Sequence, residues 1–146
     1  MSRDTFAVVV HVLLTRPGVA GPELFLLRRA GTGFMDGYYA LPGGHQHAGE
    51  GVQDAARREC LEETGARAEA LAPVCVLPYQ SGRHQGLNFV FEVERLAGWP
   101  GLAEPCHSDV ADWFPLGALP APIVPWLDDV LELRRRGEWF RELRWD

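Results

Sequence analysis

Glu59, Glu62 and Glu63 crowd three carboxylates into a span of five residues. If that stretch is helical, spacings of three and four bring them to about one face, at ~100° per residue. Gly65 supplies a stop, because glycine accepts the left-handed conformation that closes a helix C-terminus. The acids then occupy the last turn, where the backbone dipole is negative and prefers cations. Each like-charged pair there costs a few tenths of a kcal/mol. Arg57 and Arg58 are expected on other faces of the helix, or to graze this one. Local stability therefore gives no reason for the arrangement beyond an ordinary solvated acidic face, whereas a bound divalent cation would. Carboxylates are hard oxygen ligands, the kind Mg2+ or Mn2+ accepts while keeping waters and substrate phosphates in its shell. The thiolates and imidazoles that would point to zinc are missing from this patch.

Elements must hold those acids in place. Phe6–Thr15 and Glu23–Arg29 are apolar, strand-like runs separated by Arg16-Pro17-Gly18, which predicts two core strands joined by a turn. Residues 30–50 are glycine-rich and polar, as suits a long loop with short strand pieces. Val52–Thr64, between Gly51 and Gly65, reads as the helix. Ala70–Tyr79 and Leu87–Leu96 are further strands, separated by a polar loop over residues 80–86; Phe89, Phe91 and Val93 share a face of the second. A short strand is expected around Asp112–Leu116. Ile123, Leu127, Val130, Leu131 and Leu133 repeat at helical spacing towards Arg136, with Glu132 and Arg136 as an i,i+4 pair. Strands around one helix with another helix at the end predict an α/β chain, a mixed sheet sandwiched by helices.

The whole-chain numbers narrow the function. At 146 residues the chain fits one domain large enough to bury a real core. A net charge of −6, from 14 basic and 20 acidic side chains, argues against holding polymeric nucleic acid by phosphate neutralisation. It leaves a small phosphorylated substrate open, since a metal ion bridges acidic protein and acidic ligand. Cys60, Cys75 and Cys106 are widely spaced and odd in number, so free thiols and a cytoplasmic setting are expected. The run near Phe6–Leu14 is too short to span a bilayer, and no membrane association is expected.

Residues 44–66 fit the pattern Gly44-x5-Glu50-x7-Arg58-Glu59-U-x-Glu62-Glu63-x-Gly65-U at every fixed position, with Cys60 and Ala66 as small apolar residues at the U positions. This resembles the Nudix box, the signature of hydrolases that cleave a nucleoside diphosphate linked to another moiety. The lead-in Leu41-Pro42-Gly43-Gly44, and Leu26-Leu27-Arg28-Arg29 followed by residues 33–39, are similar to the family as well. The likeness runs from residue 5 to about residue 120. It implies a Nudix-type α/β/α sandwich with a mixed central sheet, as a single domain over 1–146 with a C-terminal helix from about residue 123.

The resemblance also implies roles. Glu59, Glu62 and Glu63, helped by the backbone carbonyl of Gly43, would bind Mg2+ (Mn2+ as the alternative). Arg58 would reach back to Glu50 and orient the metal-binding edge. Water would displace a phosphate-bearing leaving group, with a carboxylate as general base. The base stays open between a glutamate of the box, Glu62 and Glu63 among them, and an acid of the segment Glu104–Phe114, where this chain offers Asp109 or Asp112 in place of the glutamate relatives often carry. Arg28 and Arg29, at a strand end facing the glycine loop, could hold phosphates. Tyr79, Phe34 and Trp113 could stack on a base, and Arg83 and His84 lie in a loop expected near the pocket mouth. His45 and His47 read as loop polarity. The expected partner is a small nucleotide, either a nucleoside triphosphate (including oxidised forms) or a nucleotide sugar such as ADP-ribose, on a monomer or homodimer. The alternative is a nucleotide-sensing Nudix domain without catalysis, but the acidic triad is whole and no basic helix-turn-helix follows it. RNA decapping fits the acidic charge poorly.

Overall fold

Alternation along two strands sets the architecture. In β3 (Glu23–Arg29), Leu24 and Leu26 face one apolar cluster while Phe25 and Leu27 face another. In β1 (Ala7–Leu13), Val10 and Val12 join the second cluster and Leu13 joins the first. Side chains on a strand point to opposite faces in turn, so strands apolar on both faces need cover on both. The computed structural model, which describes residues 2–145, supplies it with two helices. The helix α1 (Val52–Thr64) seals the second cluster with Ala55, Ala56 and Cys60, all fully buried. The helix α2 (Pro125–Arg136) seals the first with Leu127, Val130 and Leu133. The result is an α/β/α sandwich.

Two sheets make up the middle layer. One carries β5 (Gly43–His45), β1, β7 (His84–Ala97), β6 (Arg67–Ser81) and β9 (Leu143–Trp145), in that order. It is mixed: β1 runs parallel to β7, and β6 parallel to β9, while the other pairs are antiparallel. The other sheet is antiparallel and contains β2 (Thr15–Arg16), β3, β4 (Tyr39–Ala40) and β8 (Ser108–Pro115).

Two local expectations need correcting, and one strand was not expected. The run Phe6–Thr15 is not one strand: the chain leaves one sheet after Leu13 and enters the other at Thr15, where the expected turn brings Thr15 and Arg16 back onto Leu24 and Glu23. The expected loop over residues 80–86 is a tight hairpin, because β6 runs on to Ser81 and β7 starts at His84. Gly82, at φ 56°, takes the left-handed conformation that the turn requires. Finally, β9 is a short edge strand that lacks the length and alternation to announce itself. The central helix spans the predicted residues, from the N-cap Gly51 to the left-handed Gly65, φ 78°.

Leu127 is fully buried between α2 and the sheet, and a cavity there cannot collapse easily. Leu127→Ala is expected to cost about 2–5 kcal/mol in urea-unfolding free energy, with an unchanged m-value.

Candidate active site

The site begins where β5 meets α1. Gly43 pairs with His11 and Gly44 with Val10, which places two glycines against the acidic face of the helix. A β-carbon on Gly43 would run into the carbonyl oxygen of Val10, and one on Gly44 would overlap the carboxylate of Glu59. Only residues without side chains let the strand come this close. That approach allows the Gly43 N–H to donate to Glu63 Oε2 at 2.9 Å.

Arg58 gathers the remaining acids. Its Nε donates to Glu50 Oε2 at 3.1 Å, and one terminal nitrogen to Glu50 Oε1 at 2.8 Å. That same nitrogen also donates to the His45 carbonyl at 2.9 Å. The other reaches Glu59 Oε1 at 2.8 Å and Glu62 Oε2 at 3.2 Å. All five N–H donors of the guanidinium are therefore engaged. The expectation that Arg58 would sit on another face, or graze this one, is corrected: its long side chain curls back over the acidic patch. Helical spacing fixes where a Cα lies, not how far a flexible side chain reaches.

The acids differ sharply in their environments. Arg58 and the His47 N–H hold Glu50 down at about 2. Glu59 is only 8% exposed, and burial pushes its carboxyl up against the pull of Arg58. Burial pushes Glu63 up to about 8, opposed by the Gly43 N–H and reinforced by the charges of Glu59 and Glu104. Glu62 stays exposed on the rim. Among the described residues, no three His, Cys, Asp or Glu side chains converge closely enough to hold a metal ion as they stand. The donor set nevertheless suits a hard divalent cation: three carboxylates beside a strand edge, two of them buried far enough for negative charge to be unfavourable.

The other candidate residues lie in three places. Arg28 grips Asp109 through two hydrogen bonds of 2.7 and 3.0 Å, so these residues meet each other across β3 and β8. Asp109 is held below the usual carboxylate range by that bond. Glu104, from the same segment, is the acid whose charge reaches Glu59 and Glu63. Asp112 accepts a bond from the N–H of Trp113. Arg29 is committed to the glycine loop, donating to the Phe34 carbonyl at 2.7 Å and to Thr32 at 3.1 Å. That loop is fastened from within, because Asp36 accepts from the Thr32 hydroxyl, the Thr32 N–H and the Gly33 N–H. Arg83 and His84 are exposed at the β6–β7 hairpin.

Aromatic side chains form a row that the sequence left scattered. Tyr79 lies beside Trp145, with ring centroids 6.4 Å apart, and Trp145 beside Trp126 at 6.2 Å. Trp126 and Phe34 are nearly parallel, 9° apart in plane and 6.5 Å between centroids. Trp113 stands elsewhere, packed edge-on to Phe25 beneath the guanidinium of Arg16. Trp126 and His11 were not singled out from the sequence. Trp126 sits among the apolar residues of a core helix, and His11 reads only as an interruption of a strand.

Comparison with known proteins follows the same lines. A family model described as NUDIX domain matches residues 5–133. The oxidized purine nucleoside triphosphate hydrolase of Danio rerio is 31% identical over 123 residues, 82% of this chain and 75% of that protein. The ADP-ribose pyrophosphatase of Methanocaldococcus jannaschii is 32% identical over 100 residues, 67% of this chain and 57% of its own length. A third relative, from Bacillus subtilis (strain 168), is matched over 64% of its length, so the chain spans about two thirds of such relatives. The crystal structure of a MutT NUDIX hydrolase from Burkholderia pseudomallei superposes with a TM-score of 0.80 at 26% identity, covering 89% of this chain and 98% of that one.

The raised Glu63 and depressed Glu50 shape stability in opposite directions. A carboxyl moved from about 4.5 to about 8 stabilises the fold fully below the lower value, and that contribution is lost as pH climbs through 8. The Glu50 contribution is present above about 4.5 and is lost as pH falls through 2. In metal-free buffer, thermal melts of the wild type are expected to drop by several degrees between pH 5 and 8. Glu63→Gln should flatten that decline and leave the acid-side loss in place.

Proposed function

Because the chain belongs to the Nudix hydrolase family, we propose that it hydrolyses a phosphoanhydride bond in a small nucleotide whose nucleoside diphosphate is linked to another group. The observation that carries this reading is the cluster around Arg58, which draws Glu50, Glu59 and Glu62 to the strand edge where Gly43 holds Glu63. A Mg2+ ion (or Mn2+) bound there would supply charge neutralisation for the phosphate oxygens and acidify an attacking water.

Glu59, Glu62 and Glu63 are the proposed ligands, with the carbonyl of Gly43. Until a cation arrives, Arg58 balances the charges of Glu59 and Glu62, which keeps like charges together on a folded chain. Glu50 fixes the direction of the guanidinium, and this kind of outer support typically changes affinity or activity about 10- to 100-fold when removed. For the general base, Glu104 is the acid of that segment whose charge reaches the box glutamates Glu59 and Glu63, whereas Asp109 would first have to part from Arg28. Arg29, anchored at the loop, is the better placed of the two arginines to meet a phosphate, since its charge reaches Glu63. Relatives named for oxidised purine nucleoside triphosphates and for ADP-ribose support nucleotides of either kind as substrates.

The test is a panel of ordinary and oxidised nucleoside triphosphates, ADP-ribose and dinucleoside polyphosphates, incubated with the protein and Mg2+ and scored by products. Magnesium-dependent release of a nucleoside monophosphate from at least one of them is expected, and inertness towards all would overturn the proposal. Glu63→Gln should lower kcat/KM at least about 100-fold while its unfolding stays cooperative.

A further inference from the structure

One buried polar pair takes no part in the chemistry proposed above. His11 lies on β1, only 6% exposed, and its Nε2 is 2.8 Å from Oδ1 of Asn88, itself 6% exposed. The Asn88 amide nitrogen donates to the Leu77 carbonyl at 3.1 Å, which turns its oxygen towards the histidine. An amide oxygen only accepts, so Nε2 carries the ring proton and Nδ1 presents a lone pair. The opposite tautomer would set two acceptors against each other.

That lone pair has no hydrogen-bond partner among the described residues, yet none of their side-chain nitrogens or oxygens is both sealed from solvent and unbonded. Nδ1 therefore keeps some contact with solvent. Gly43 lies against one side of the ring, where a β-carbon would stand 3.0 Å from Nδ1. On another side is the ring of Trp126, its centroid 6.3 Å from that of His11, with Phe34 parallel to it beyond. Phe34 is 58% exposed, so this pair of rings reaches solvent. His11 thus stands between the proposed phosphate-binding edge and a pair of aromatic rings.

We infer that His11 determines base specificity: Nδ1 accepts a hydrogen bond from an N–H on the edge of a purine, while Trp126 and Phe34 contact the flat faces of the base. The inference rests on the nucleotide reading above. Ionised phosphate oxygens are acceptors and cannot satisfy a lone pair, so Nδ1 is matched to the nucleoside end of the substrate. No described residue donates to it, and a base without an N–H would leave the acceptor unmatched. A site built around such a bond rejects the analogue that lacks it far more strongly than an apolar pocket rejects a change of shape.

The test uses the whole protein labelled with 15N at its five histidines and the unhydrolysable product nucleotides. Guanosine monophosphate and its 8-oxo-deoxy counterpart carry N–H donors; purine riboside monophosphate has the same ring and sugar-phosphate without one on the base. The Nδ1 resonance of His11 is expected as an unprotonated nitrogen that moves upfield with at least one donor-bearing nucleotide and stays in place with purine riboside monophosphate. A shift with all three would mean that the sugar is being sensed, and no shift with any would mean the lone pair meets nothing; either result overturns the inference. In turnover, His11→Leu should lose at least about tenfold of the preference for donor-bearing triphosphates over the purine riboside triphosphate. His11→Gln, whose amide can donate to Asn88 and present an oxygen, should keep part of it. If the wild type hydrolyses no nucleotide in the panel, the proposed function fails; if it hydrolyses them without this discrimination, only the role of His11 fails.

Discussion

A single guanidinium with five N–H bonds to give has to reconcile four acidic or carbonyl groups at the mouth of a helix. Arg58 does so with both oxygens of Glu50, one each of Glu59 and Glu62, and the His45 carbonyl. Without it, three carboxylates would stand in a region already unfavourable to anions, at the negative end of α1. A lysine could not substitute, because its three donors radiate from one point and cannot fork to both oxygens of Glu50. The rest of the arrangement follows from this. The box loop must bend so that Glu50 returns to the helix, and β5 must lie low enough for His45 to offer its carbonyl. The two glycines ahead of it must leave room for Glu59 and Glu63.

Much of this was legible in the residues. Gly51 and Gly65 bound the helix at its observed ends, because one permits an extended cap and the other the left-handed turn. The tail helix was visible from the spacing of Leu127, Val130 and Leu133, the residues of that helix that are fully buried. The Glu132–Arg136 pair also forms, at 3.3 Å. The small residues at the two apolar box positions, Cys60 and Ala66, are both fully buried, so their size suits close packing of the helix against the sheets.

What stayed hidden has physical causes. Alternation reveals that a strand has two apolar faces, not which sheet each strand joins, so the passage from β1 into the second sheet at Thr15 could not be seen. The loop around residues 80–86 is polar because the hairpin is exposed, and polarity alone does not separate a tight turn from a long one. His11 and Asn88 lie 77 residues apart and are defined as a pair only by the parallel register of β1 and β7. Trp126 carries the helical spacing of a core residue, and its neighbours in space, Phe34 and Trp145, come from opposite ends of the chain.

The glycine-rich segment between β3 and β4 has glycines at 31, 33 and 37 with positive φ, and by composition it would be expected to wander. Asp36 and Arg29 instead tie it to itself through bonds to Thr32, Gly33 and Phe34. A rim already holding its working shape loses little conformational entropy when something enters, so more of the contact energy survives as affinity. The cost falls on tolerance. A stiff rim rejects ligands of the wrong outline, and for this protein discrimination would come from preorganisation rather than from a surface that adapts to whatever arrives.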